Sequence, residues 1–417
     1  MMAMKSPRRI RFFAEWLFWL GGFRRLRSDI KTILVVRLDR LGDLIMTSGF
    51  LRALREDFPE AKITLAVRDS LEPLARVCPD VDEAIGLPAS DSIFQSNRDE
   101  WQRSISAWLA ACWKQHVWKR RFDLAIVPRR DIDNNGAVTF AYLSGARERI
   151  GFCERVNRDK AIVNADFDLL LTQPISDDCE GHEILSLVRL REALGKQGPI
   201  GLVAWVTSDT RAIAEKLFCD AGLKRQHIPV AVCMGAGAPS RCWPAERYAE
   251  LLKILTANPE VRILTLGTLK EAPLGTKLKS LLGEGVINLE GAVPIEILPA
   301  MMKKCSLYVG ADTGPMHLAA SVGLPVLEIS CHSLMSNSAW PNLTMRFAPW
   351  AVSSRIVQPA ETRPPCSDVC RADSPHCILG IDVELAAVAL KQLIHECGLA
   401  IIPGRQDLHA PVEDVRS

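Results

Sequence analysis

Thr32-Ile33-Leu34-Val35-Val36-Arg37-Leu38-Asp39-Arg40-Leu41-Gly42-Asp43 is the stretch whose reading decides the fold. Residues 32–37 form a short apolar run rich in β-branched side chains. Such a run predicts a strand buried on both faces, and therefore a parallel one. Gly42 and Asp43 mark a turn, after which apolar residues recur at helical spacing from Leu44 to Glu56. Ile63-Thr64-Leu65-Ala66-Val67 reads as the next strand, which completes a β-α-β unit.

The same alternation extends outward along the chain. The first half adds a helix over Trp101 to Trp118, strands at Leu124 to Val127 and Arg149 to Phe152, and a helix over Glu183 to Leu194. A loop with Gly and Pro, Gly195 to Gly201, then separates the halves. The second half predicts strands at Val230 to Cys233, Val261 to Leu266, Leu307 to Val309 and Val326 to Ile329. Its helices fall over Ala245 to Leu255, Ile295 to Lys304 and Met316 to Val322, and a last one over Asp382 to His395 packs back across the domains. Alternating strands and helices imply parallel sheets. The expected fold class is α/β, with two doubly wound parallel-sheet domains facing a cleft. The expected domains are 31–200 and 201–400, between a basic leader (1–30) and a polar, disordered tail (401–417). A chain of 417 residues is long enough for two cores.

Composition excludes some classes. Net charge is +2, so no global field favours nucleic acid. The 13 cysteines are scattered over a long chain, which fits a reducing cytoplasm better than a disulfide scaffold. The leader carries Arg8, Arg9 and Arg11, then Phe12 to Leu20, then Arg24, Arg25 and Arg27. This apolar run is shorter than the roughly 20 residues that span a bilayer, and no small-residue cleavage site follows it. Trp16 and Trp19 between arginines fit a segment lying on an anionic membrane surface, which predicts a peripheral protein on the cytoplasmic face. A helix packed on the protein, or a disordered leader, fits the same residues.

In doubly wound sheets ligands bind beyond the carboxyl ends of strands, and three constellations sit there. The first is Arg37 with Gly42-Asp43. Asp43 stands at a helix start, where amide dipoles stabilise a carboxylate. It reads equally as a plain cap or as a catalytic carboxylate. The second is Gly235-Ala236-Gly237-Ala238-Pro239-Ser240-Arg241, before Trp243-Pro244. Its small residues let a ligand approach the backbone, and Arg241 offers paired hydrogen bonds to phosphate. Pro244 suits the first turn of the following helix. No third glycine completes a dinucleotide fingerprint, which argues against a nicotinamide dehydrogenase. The third is Asp312-Thr313-Gly314-Pro315-Met316-His317, where a strand gives way to a helix. The amides of that turn can hold a diphosphate.

Two further patterns carry alternatives. Asp131-Ile132-Asp133 has the spacing of a metal-binding pair, but Asp80-Val81-Asp82 has it too, and both read as loop or helix-start acids. Cys366, Cys370 and Cys377 form a cluster of thiols among prolines, with His376 or Cys331 as a fourth donor for zinc or iron. Free thiols, or a disulfide formed on oxidation, are the alternative.

Taken together, the three constellations resemble glycosyltransferase family 9, whose best-known members are the lipopolysaccharide heptosyltransferases. The likeness runs from about Lys31 to Leu393 and includes Phe58-Pro59, His182-Glu183 and Trp243-Pro244. It implies a GT-B fold of two Rossmann-like domains, with acceptor on the first and nucleotide sugar on the second. It implies an inverting transfer that needs no divalent metal. Asp43 matches the family's general base. Arg37 and Gly42 fall on the acceptor side. Gly235, Gly237, Arg241, Asp312, Thr313, Gly314 and His317 fall on the donor side, with Arg241 where the family usually carries lysine. The implied reaction moves a heptose from ADP-heptose to a lipopolysaccharide core or a related membrane-borne glycan. Another nucleotide sugar, a protein acceptor of the autotransporter type, and a non-catalytic glycan-binding protein of the same fold are the alternatives.

Overall fold

The computed structural model describes residues 30–88, 117, 120–177, 181–335, 344–366 and 372–402. The leader, the tail, the expected helix over Trp101 to Trp118 (apart from Val117) and Cys370 lie outside the described residues.

Two six-stranded sheets are present, and every pairing in them is parallel. The first contains β1 (Thr32–Arg37), β2 (Lys62–Arg68), β3 (Glu83–Leu87), β4 (Leu124–Val127), β5 (Glu148–Phe152) and β6 (Gln173–Ile175). The second contains β7 (Ile228–Cys233), β8 (Val261–Thr265), β9 (Val286–Asn288), β10 (Leu307–Ala311), β11 (Val326–Ile329) and β12 (Ser354–Val357). The orders are β3-β2-β1-β4-β5-β6 and β12-β11-β10-β7-β8-β9. Read from opposite edges these are one topology, so each sheet has its switch point between its first and fourth strands. The expected α/β class of two doubly wound sheets is what the chain adopts.

The helices that matter below are α1 (Leu41–Asp57), α2 (Ala137–Leu143), α3 (Glu183–Ala193), α4 (Ala245–Thr256), α5 (Leu298–Met302), α6 (Gly314–Ser321) and α7 (Val383–Glu396). Strand β1 shows why its sequence is apolar throughout. Ile33 and Val35 join the core on one face, with Leu44 and Phe50 of α1. Leu34 and Val36 join the core on the other, with Val138 and Phe140 of α2. Alternate side chains point to opposite faces, and both faces are covered. Each such aliphatic side chain, fully buried, contributes about 1.5–3 kcal/mol.

Several boundaries differ from the sequence reading. Helix α1 begins three residues before Leu44, because Arg40 takes the cap position and Asp43 falls inside the first turn. Pro244 is the cap of α4 rather than a first-turn residue. The expected helix over Ile295 to Lys304 contracts to α5, which Pro299 helps start. Strands β3, β6, β9 and β12 were not expected. They are three to five residues long and are the four edge strands, where polar positions break the apolar run.

The connection between halves is packed rather than loose. Val203 N donates to Ser48 Oγ of α1 at 2.9 Å. Gly49 lies so close under the Gly201 carbonyl that no β-carbon fits there.

Candidate active site

A cleft of about 1080 Å³ opens where the carboxyl ends of the two sheets face each other. Its walls come from the turns after β1, β7 and β10, three of the four switch-point strands. Asp43, Gly235, Gly237, Arg241, Asp312, Thr313, Gly314 and His317 all line it, as does Gly42. Arg37 lies behind this wall, bonded to Asp43.

On the first-domain side, Arg37 is 1% exposed. Its Nη2 donates to Asp43 Oδ1 at 3.2 Å, its Nε to the Asp43 carbonyl at 3.3 Å, and its Nη1 to the Pro128 carbonyl at 2.5 Å. Buried Asp39, ion-paired with Arg37 and Arg129, fixes that guanidinium from behind. The Arg40 amide donates to Asp43 Oδ2 at 3.3 Å. Asp43 is therefore a capping-box residue. It is also a carboxylate aimed by two donors, with 31% of its side chain open to the cleft. The cap reading of Asp43 is met, and the cap leaves part of the carboxylate accessible.

On the second-domain side, β10 ends and α6 begins within three residues. Thr313 is the cap residue of α6, but its hydroxyl donates to the Ala311 carbonyl at 3.4 Å rather than bonding the first turn. No side chain caps this turn; Pro315 has no N–H and the Met316 amide donates to the Thr313 carbonyl at 2.9 Å, so the Gly314 amide and the helix dipole are what the turn offers an anion at the cleft wall. Arg241 stands opposite. Its Nη2 donates to the Asp312 carbonyl at 2.6 Å and to Asp312 Oδ2 at 2.9 Å. Burial works against the Arg241 charge, but Asp312 and Cys331 outweigh it and raise its pKa. His317, one turn into α6, is 4% exposed, and its Nδ1 has no partner among the described residues. Burial lowers its pKa, so the ring is neutral near pH 7.

The two helix starts meet. A β-carbon on Gly314 would lie 2.7 Å from Leu41 Cβ and 3.0 Å from Gly42 N. Only glycine at both positions lets α1 and α6 approach this closely. A carboxylate that can accept a proton and a cradle that can hold a diphosphate therefore share one cleft.

The glycines after β7 have a role beyond admitting a ligand. A β-carbon on Gly235 would strike Glu271, and one on Gly237 would strike Arg40. Neither Glu271 nor Arg40 was expected at the site. Thr268 and Glu271 form a capping box, with the Thr268 amide donating to Glu271 Oε2 at 2.6 Å. The Ser/Thr-x-x-Glu spacing was the available signal.

His182-Glu183 ties the halves together. His182 Nδ1 accepts from Ile184 N at 3.2 Å, and its Nε2 donates to the Ala348 carbonyl at 2.9 Å. Arg346 pairs with both Glu183 and Asp131. Asp133 accepts from the amides of Ala137 and Val138 at the start of α2, both at 2.9 Å. Asp80 pairs with Arg52 and Asp82 with Arg55. Each acid of the two Asp-x-Asp patterns thus has a partner within the protein.

The cysteine cluster is brought together in part. Donor atoms of Cys366, His376 and Cys377 lie within 4.8 Å of one another. Cys366 Sγ is 3.6 Å and Cys377 Sγ 3.4 Å from His376 Nδ1. Cys331 does not join them. It sits against Arg241, which corrects its place as a possible fourth donor.

A sequence profile of glycosyltransferase family 9 (heptosyltransferase) matches residues 143–373. Lipooligosaccharide heptosyltransferase 2 of Haemophilus influenzae is 21% identical over 308 residues, covering 71% of this chain and 82% of its own length. Among solved structures, a family 9 glycosyl transferase from Veillonella parvula superposes with a TM-score of 0.69 at 20% identity, covering 89% of this chain and all of its own. The E. coli ADP-heptose LPS heptosyltransferase II gives 0.63 at 18%, covering 88% and 99%. At these identities the structural likeness speaks for the fold, while the profile spans more than half of the chain, and on that ground the chain belongs to glycosyltransferase family 9, a family of heptosyltransferases.

Proposed function

We propose that this chain transfers a heptose from ADP-heptose to the core of a lipopolysaccharide, with inversion at the anomeric carbon. The observation that carries the reading is the contact of the two helix starts, which sets the Asp43 carboxylate and the Thr313–Gly314 cradle in one cleft. The names of the relatives, a lipooligosaccharide heptosyltransferase and an ADP-heptose transferase, support the donor and the acceptor class.

In this reading residues 31–200 bind the acceptor and 201–400 the donor. Asp43 takes the proton of the acceptor hydroxyl as that oxygen attacks the anomeric carbon. The bond to the diphosphate breaks, and its electron pair leaves on the phosphate oxygen. The Gly314 amide with the dipole of α6 and the Arg241 guanidinium meet that charge, so a divalent ion is not required for the step. Glu271 stands beyond β8, the second strand of its sheet. An acid there suits the ribose hydroxyls.

Two finer readings accompany this one. Thiol and imidazole donors around tetrahedral zinc, bonded at 2.0–2.3 Å, lie roughly 3.6 Å apart. The spacing of Cys366, His376 and Cys377 supports a structural zinc or iron ion there. Among the described residues no helix is long and apolar enough to cross a membrane. The arginines and tryptophans of residues 1–30 support attachment to an anionic membrane surface.

The donor assignment is tested by thermal shift of the purified protein with ADP-, GDP- and UDP-sugars, since selective stabilisation follows binding by mass action. ADP-heptose should stabilise most, and a larger shift with a GDP- or UDP-sugar overturns the ADP reading. Mass spectrometry of a heptose-deficient core acceptor should then gain one heptose.

A further inference from the structure

Glu328, in the middle of β11, takes no part in the reaction just described. It is 1% exposed, and neither carboxyl oxygen has a hydrogen-bond partner among the described residues. An ionised carboxylate in such a place is costly, so the side chain rests as the neutral acid. Burial raises its pKa far above the carboxylate range. Asp312 adds to the rise, and Arg241 opposes it.

Its position is set by the sheet. Glu328 is in register with Gly310 of β10. Side chains alternate along a strand, so Tyr308, position 310 and Asp312 follow one face of β10. A β-carbon on Gly310 would lie 2.5 Å from the Cys233 carbonyl oxygen and 2.6 Å from the Tyr308 hydroxyl, so only glycine fits opposite Glu328. The Asp312 amide donates to the Ile329 carbonyl at 3.3 Å, which carries the pairing past the end of β10. The buried acid thus stands next to the residue that holds Arg241 at 2.9 Å and faces His332 Nε2 at 3.6 Å.

We infer that Glu328 is a positioning residue of the donor site, a neutral acid that donates its proton as a hydrogen bond to Asp312 when Arg241 turns to the donor diphosphate. Without donor, Arg241 already satisfies Asp312, and the Glu328 hydroxyl has nothing to do. With donor, the guanidinium is drawn toward the phosphates, and Asp312, whose side chain is 13% exposed, loses its closest partner while His332 Nε2 stands at 3.6 Å. A neutral acid beside it can supply one, whereas an apolar side chain cannot. The inference rests on the reading of Arg241 as a diphosphate ligand.

The test compares the full-length protein with Glu328→Gln and Glu328→Leu, by calorimetric titration with ADP and with adenosine and by thermal melting without ligand. Glutamine keeps a donor and should bind ADP within about threefold of the native protein, while leucine should bind it about tenfold or more weakly, the effect of one lost hydrogen bond to a charged group. Leucine should also melt higher, because it removes a buried polar group that has no partner in the ligand-free state. A merely structural role would move both quantities the same way, and parallel losses of melting temperature and affinity overturn the inference. Native-like ADP affinity in the leucine variant overturns it too and leaves the diphosphate reading standing. Equal affinity of the native protein for ADP and adenosine overturns both readings. As a check that does not need the leucine variant to fold, the native protein at neutral pH should show the infrared carbonyl band of a protonated acid that Glu328→Gln lacks. Absence of that difference also overturns the inference.

Discussion

A β-carbon on Gly42 would lie 2.7 Å from Cδ2 of His317. The first turn of the first domain's leading helix therefore rests on a buried ring of the second domain. Gly42→Ala must either displace that ring or part the two helices, and Gly314 Cα stands 3.4 Å away to block the simplest escape. Overpacking of this kind typically costs about 1–3 kcal/mol. We expect a lower melting temperature and a turnover reduced at least tenfold, because the acceptor and donor sides lose their spacing. Native turnover with an unchanged melt would show that the cleft has slack at this contact.

Asp43→Asn retains the shape of the side chain and the acceptor for the Arg40 amide, but it is no longer a useful base. Donor binding should stay near native, while turnover falls by about 100-fold or more, the usual contribution of a general base. Turnover close to native, measured under saturating substrates, would remove Asp43 from the reaction.

Arg241→Ala should weaken ADP far more than adenosine, since the guanidinium faces the phosphate cradle. Loss of one charge-assisted contact predicts about a tenfold or greater difference between the two ligands. An equal loss for both, by calorimetric titration, would contradict the phosphate role.

His182 gives stability a pH dependence with a definite sign. Its neutral tautomer accepts from Ile184 N and donates to the Ala348 carbonyl, and burial pushes its pKa down to about 4. In the unfolded chain a histidine titrates near 6.5. Between those values the unfolded state binds a proton that the folded state does not, so stability falls as pH drops from about 6.5 toward about 4. The full effect is on the order of 3 kcal/mol. Denaturant midpoints at about pH 7.5 and pH 5 should therefore diverge in the native protein and converge in His182→Asn. Parallel pH profiles would show that other groups control acid stability.

Protein purified without chelator or metal-affinity tag should contain about one zinc or iron per chain if Cys366, His376 and Cys377 hold an ion. A Cys366→Ser and Cys377→Ser double variant should lose it and melt at a lower temperature. Both metals well below one per chain in the native protein would leave the cluster as free thiols.

The readings that succeeded from sequence were those carried by local chemistry. The run Thr32 to Arg37 is apolar at every position but its ends, and only a strand covered on both faces requires that. Asp312 to His317 combines a turn glycine, a first-turn proline and polar groups after a strand, which locates a helix start at the cleft wall without any tertiary knowledge. Arg40 and Glu271 were not legible in the same way. Each reads as an ordinary cap or surface residue, and each becomes part of the cleft only because a glycine after β7 leaves room for it. Arg346 is similar. It pairs with Glu183 and Asp131, which lie more than 160 positions earlier in the chain.

The sequence by itself determined the α/β class, the two doubly wound halves and the turns that carry Asp43, Arg241 and Gly314. Hydrophobic period, turn residues and strand-to-helix junctions are local properties, and they act within a few residues. Tertiary structure alone decided that α1 and α6 meet at Gly42, Gly314 and His317, that Glu328 lies beside Asp312, and that Cys331 serves Arg241 rather than the thiol cluster. Those contacts depend on strand order and on how two sheets face each other, and each joins groups with no short-range pattern between them. Close packing fixes such contacts through the shape of the whole interior, so no window of sequence contains them.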